Sequence, residues 1–129
     1  MSIFFILLSM SIFDDDISRL NLEDYIWIVF AILAFLNIFG DNLLKEFIKT
    51  KNKNFENRAN KIFLFTLIVS FIIYIYFFYR NYIFFKKASN EDKFLLLIKL
   101  IGSSLLIGGT LCIIYFQIKQ SDFIGTPAI

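Results

Sequence analysis

Lys99 is the one ionisable residue set well inside an apolar stretch of this 129-residue chain. A charged side chain in hydrocarbon is costly, so such a residue points to a ligand contact or an ion path unless it can escape to water. Lys99 lies five residues past Phe94, about 7–8 Å along a helix axis. Its stem is long enough for the ammonium to snorkel back to the interface. Two readings therefore stand side by side, a snorkelling or structural lysine and a lysine that meets a ligand. Asn37 is the other polar residue of note. It sits one helical turn before Asp41 and suits a hydrogen bond to a neighbouring helix, a contact worth about 0.6–2 kcal/mol in membranes. Ser104, Gly108 and Cys112 recur every fourth residue and so share one helical face. This small-xxx-small spacing lets another helix approach closely. The approaching helix is either another part of the same bundle or a partner, whether a second copy or a different membrane subunit.

Other chemistry is missing its usual residues. The chain has no His and a single Cys, which removes the common zinc-ligand sets, His-based acid–base catalysis and any internal disulfide. Walker A, GxGxxG, HExxH, CxxC and GxSxG patterns are all absent. None of the apolar segments carries a midplane acid of the kind ion-coupled transporters use, and no internal repeat is evident. With 13 basic and 11 acidic residues the net charge is +2, too balanced for nucleic-acid binding. The expectation is a non-enzymatic protein with no cofactor, no metal, and the lipid bilayer as its main partner.

The elements that must hold these residues follow from hydropathy. The chain is 58% hydrophobic, with a mean hydropathy of +0.70. Soluble proteins sit nearer 45–50%. The excess is gathered in blocks, as in an all-α membrane protein with three transmembrane helices. Eighteen Phe, with abundant Ile, Asn and Lys, fit a low-GC bacterial genome, and the Phe residues are read as lipid-facing or packing. The first span is placed at about 25–40, where ten of sixteen residues are Ile, Val, Leu or Phe. Asn21 and Asp24 resemble a capping box before it, Tyr25 and Trp27 suit the interface, and Gly40 with Asp41 marks its end. Residues 41–50 place Leu43, Leu44, Phe47 and Ile48 on one face and predict a juxtamembrane amphipathic helix at the headgroups. Residues 51–61 read as a polar connector. The second span is expected at 62–79, with Asn60 as N-cap, a cluster of Tyr74, Tyr76, Tyr79 and Tyr82 at its far end, and Arg80 closing it. Residues 86–93 read as a charged loop in which Ser89 and Asp92 form a capping-box variant. The third span runs over about 94–117. The apolar run at 3–13 is too short to span, since spanning takes roughly 17–25 residues, and is expected to form a short N-terminal interfacial helix.

Positive residues favour the cytoplasmic side. Lys45, Lys49, Lys51, Lys53, Arg58, Lys61 and Lys119 lie on one side of the expected bundle, against Arg19, Arg80, Lys86, Lys87 and Lys93 on the other. The bias places the N-terminus outside and the C-terminus in the cytoplasm. Lys99 then falls near the outer leaflet, far from Asp41, with Glu23, Asp24 or the Tyr76 and Tyr79 hydroxyls as its better-placed partners. The basic residues of the first loop serve to set this topology, or bind anionic headgroups. The leading functional expectation is an accessory or scaffold subunit that acts through helix–helix association. The size, span number and orientation also resemble phage holins, which implies pore formation; the tail, with Lys119 and Asp122 followed by apolar residues, departs from the charged holin tail. A third expectation is a small-solute or lipid-handling protein that uses Lys99 with the outer Tyr cluster. The C-terminal Pro127-Ala128-Ile129 offers either a frayed end or a peptide motif.

Overall fold

In the computed structural model, which describes residues 15–120, every regular element is an α-helix. Helix α1 is Asp16–Thr50, α2 is Lys53–Lys87 and α3 is Lys93–Lys119. All three are long and apolar enough to cross a membrane. At 1.5 Å per residue, α1 and α2 are each about 52 Å long and α3 about 40 Å, against a hydrocarbon core of about 30 Å. The expected interfacial helix at 3–13 and the C-terminal motif lie outside the described residues.

The helix ends differ from those expected, for local reasons. Asp15 caps α1: its carboxylate accepts from the backbone N–H of Ile17 at 3.1 Å and from the Ser18 hydroxyl at 2.7 Å. The Ser18 hydroxyl, then the backbone N–H groups, hold the Asp15 carboxyl below its ordinary value. Asn21 is therefore an exposed residue inside α1 rather than its cap. The chain between α1 and α2 reverses over Lys51 and Asn52 alone. Lys51 takes the left-handed conformation, φ 60°, and its N–H donates to Phe47 O at 2.7 Å. Asn52 caps α2 by accepting from Asn54 N at 3.0 Å. Around Ser89 and Asp92 the backbone N–H groups of Asp92 and Lys93 donate to Ser89 O. The Asp92 side chain makes no cap bond to α3 and accepts instead from the Ser89 hydroxyl at 3.3 Å.

The short turn forces α1 and α2 together as an antiparallel hairpin, and this accounts for the polar stretch on either side of it. Residues 41–50 continue α1 as part of the same helix. Of the apolar face expected there, Leu43, Leu44 and Phe47 are buried while Ile48 is exposed, and Leu43 and Leu44 cluster with Ala59 and Phe63 of α2, with Phe55 and Ile62 beside them. That face is satisfied by protein contacts, so it does not call for an interfacial position. Residues 53–61 are helical for the same reason, and Ala59 and Phe63 are fully buried. Gly40, read in the sequence as a boundary, is inside α1. A Cβ there would lie 2.5 Å from the Phe63 ring, so the glycine makes room for the Phe63 side chain of α2.

Helix α2 lies between the others, packing on α1 along one side and on α3 along the other. Polar pairs fix the register. Thr66 donates to Asn37 Oδ1 at 2.9 Å between α2 and α1. The buried Asn81 donates to Ser103 Oγ between α2 and α3. At the other end of α3, Gln117 and Gln120 both donate to Asn60 Oδ1, at 3.3 and 3.1 Å. Asn60, expected as a cap, thus works as a cross-helix acceptor in the second turn of α2 and beyond. The flanking position of α3 leaves it the least covered helix: 11% of its most apolar window is buried, against 28% for α2.

Candidate functional site: a charged cluster, an open groove and an outward face

One turn from the N-terminal end of α1, Arg19 and Glu23 share a helical stripe at i, i+4 spacing. The antiparallel pairing brings Arg80 of α2 to the same level. Glu23 is buried, 6% exposed. Its carboxylate accepts from Arg80 Nη1 at 2.9 Å, from Arg19 Nη1 at 3.2 Å and from the Tyr76 hydroxyl at 3.1 Å. Arg80 also donates twice to Asn81 Oδ1 and lies over the Phe77 ring at 4.7 Å. Arg19 lies over Phe84 at 5.0 Å and reaches the exposed Asp16 at 3.5 Å. A carboxylate taken out of water is tolerated when paired and hydrogen-bonded, and Glu23 has three such partners.

Below this cluster a groove opens between α1 and α3, with α2 as its floor. Its main chamber is about 640 Å³ and is walled by Trp27 and Phe30 of α1, Tyr74, Phe77, Arg80 and Asn81 of α2, and Lys99, Gly102, Ser103 and Leu106 of α3. A second chamber of about 250 Å³ shares Tyr74 and Leu106 with the first and continues past Ser70, Gly109 and Thr110 to Asn37 and Thr66. Lys99 is thus on the groove wall beside Arg80. Among the described residues no carboxylate stands within ion-pair distance of it. Glu23, expected as a partner for Lys99, is taken up by the two arginines, and the Tyr76 hydroxyl by Glu23.

The sequence-predicted residues therefore fall in three places. Lys99 and Asn37 line the two chambers of one groove. Ser104, Gly108 and Cys112 are exposed on the outside of α3. At 100° per residue, Gly108 and Cys112 lie roughly 140° and 180° around α3 from Ser103, on the side away from α2. A Cβ at Gly108 would meet nothing within 4 Å. The stripe is accordingly not used for packing among the described helices. Arg19, Glu23 and Arg80 were not singled out as a cluster from the sequence. Their signal was the Arg19–Glu23 spacing, masked because both residues precede the uncharged run at 25–40, while Arg80 looked like an ordinary span terminus.

Among the described residues no three His, Cys, Asp or Glu side chains converge as a metal site. The arrangement offers instead a cation-lined apolar cleft on one side of the bundle and a smooth small-residue face on the other. No known protein family, curated protein or solved structure matches this chain.

Proposed function

We propose that this is a non-enzymatic membrane protein, an accessory or scaffold subunit that works by presenting α3 to another transmembrane helix. The observation that carries the reading is the outward stripe of Ser104, Gly108 and Cys112, on the helix that the bundle covers least. Without a hydrophobic driving force between helices in lipid, association depends on close backbone approach, and Gly108 offers that approach with nothing among the described residues in the way. The open groove on the opposite side favours lipid handling as a second reading. For orientation, the excess of basic residues at and around the α1–α2 turn supports a cytoplasmic position for that end.

The test is cross-linking in native membranes of Gly108→Cys combined with Cys112→Ser. Capture of a second copy, or of one defined membrane protein in stoichiometric yield, is the expected result. Gly108→Leu should abolish the captured complex while leaving the isolated chain folded. A complex of unchanged size in the Gly108→Leu variant would overturn the association reading.

A further inference from the structure

We propose that the groove between α1 and α3 is a binding site for one acidic phospholipid of the surrounding bilayer. The headgroup phosphate lies against Lys99 and Arg80, and an acyl chain runs along the aromatic wall. The inference is independent of the association reading, because the α3 residues of the main chamber, Lys99, Gly102 and Leu106, lie on a different face of α3 from Ser104, Gly108 and Cys112.

Charge complementarity identifies the headgroup. Among the described residues Arg19 and Arg80 pair with the buried Glu23 at this level, Lys99 stands on the groove wall beside Arg80, and no acidic residue lines the main chamber. Asp16 adds one exposed contact, to Arg19 alone. Arg80 and Lys99 therefore face the groove with net positive charge. Arg80 engages three of its N–H donors and an arginine has five, so it retains donors for an anion. Asn81 and Ser103 are committed to each other and to their neighbours. The missing partner is thus an anionic oxygen group, which a phosphodiester supplies.

The remainder of the cleft identifies the tail. Below Arg80 the main chamber is lined by Trp27, Phe30, Tyr74, Phe77 and Leu106, a surface suited to hydrocarbon rather than to a hydrated anion. From the level of Arg80 to that of Thr66 the groove descends about 21 Å along α2, more than half of the ~30 Å hydrocarbon core. Gly102 and Gly109 keep the α3 wall open, since a side chain at either would project into empty space. The cations sit at the end of the groove nearest the Lys86, Lys87 and Lys93 helix termini, where a leaflet's headgroups lie. A basic residue near the membrane surface contributes about 1 kcal/mol toward an acidic lipid, about a fivefold preference.

Trp27 is the only tryptophan and stands on the groove wall, so its fluorescence reports occupancy. The full chain is reconstituted into phosphatidylcholine bilayers containing either brominated phosphatidylglycerol or brominated phosphatidylcholine at equal mole fraction. The expected result is about fivefold tighter quenching by the acidic lipid, retained in Lys99→Arg and reduced toward equality in Lys99→Gln. Gly102→Phe, which keeps every charge, should lower the preference by filling the groove. Equal quenching of the wild-type chain by the two lipids would overturn the proposal, as would a preference that survives both Lys99→Gln and Gly102→Phe. Loss of the preference on adding millimolar glycerol phosphate would assign the site to a soluble anion instead. Quenching that falls as protein density rises would assign the groove to a second copy of the chain. Both outcomes count against the lipid.

Discussion

Replacing Glu23 by Ala strands Arg80, and the arrangement around it sets the size of the effect. Arg19 has an alternative partner in Asp16 at 3.5 Å, and its stripe opens toward the end of α1. Arg80 has no second carboxylate within ion-pair distance among the described residues. It keeps the neutral Asn81 and its contacts with the Phe77 and Phe84 rings. Breaking one side of a buried pair costs about 3–5 kcal/mol. Both arginine side chains are 13% exposed, which places Glu23→Ala at the lower end, about 3 kcal/mol. Arg80→Met should cost less, about 1–2 kcal/mol, because Glu23 keeps Arg19 and Tyr76. The double variant should be no less stable than Glu23→Ala alone, since the stranded charge has gone; the coupling is then about 1–3 kcal/mol. The assay is equilibrium unfolding by dodecyl sulfate in dodecyl maltoside micelles. Trp27 serves as the probe, lying 5.9 Å from Phe77 across the α1–α2 interface. A Glu23→Ala variant within about 0.5 kcal/mol of wild type, or single effects that simply add in the double, would refute the reasoning.

Two further outcomes follow from positions outside that cluster. Gly40→Ala pushes a methyl group against the buried Phe63 ring. Overpacking of about 1–3 kcal/mol outweighs a helix-propensity gain of about 1 kcal/mol, so the same titration should show net destabilisation; a stabilised variant would mean that the helices can separate slightly without loss. At the N-terminus of α1, the depressed Asp15 carboxyl contributes to the first turn above the ordinary aspartate value of about 3.9, and that contribution disappears as pH falls through the lower folded value. Protection of the Ile17 and Ser18 amides, taken relative to their intrinsic exchange at each pH, should fall below about pH 4 and likewise in Asp15→Ala at neutral pH; protection that ignores both changes would remove Asp15 as the cap.

Lipid decides the elements that hydropathy makes legible, and a neighbouring helix decides the elements that it does not. The uncharged run at 62–79 can only be helical in a membrane, because every backbone polar group must be satisfied within the segment. The same logic located the other two spans. The polar stretch from Asp41 to Lys61 followed a different rule. Its helicity depends on Leu43, Leu44 and Phe47 meeting Ala59 and Phe63, partners that hydropathy does not pair. Gly40 had two meanings in the sequence, helix stop and close approach, and only the nearness of Phe63 separates them. Asn60 likewise suits a cap or a cross-helix acceptor, and Gln117 and Gln120 are what choose. Lys99 stands out in the sequence as a snorkelling or ligand-meeting lysine, but Glu23, one of its candidate partners, is claimed by an arginine 57 positions away.

The two-residue reversal at Lys51 and Asn52 also sets an order of events. Cross-helix pairs between α1 and α2 close chain loops that lengthen steadily with distance from that turn: 29 positions separate Asn37 from Thr66, and 57 separate Glu23 from Arg80. The entropic cost of closure rises with the logarithm of that separation, so each pair nearer the reversal makes the next one cheaper. The hairpin zips from its tip, and the ion cluster is the clasp at the open end. Until the ribosome has made most of the second helix there is no Arg80, and Glu23 has Arg19 as its ion-pair partner.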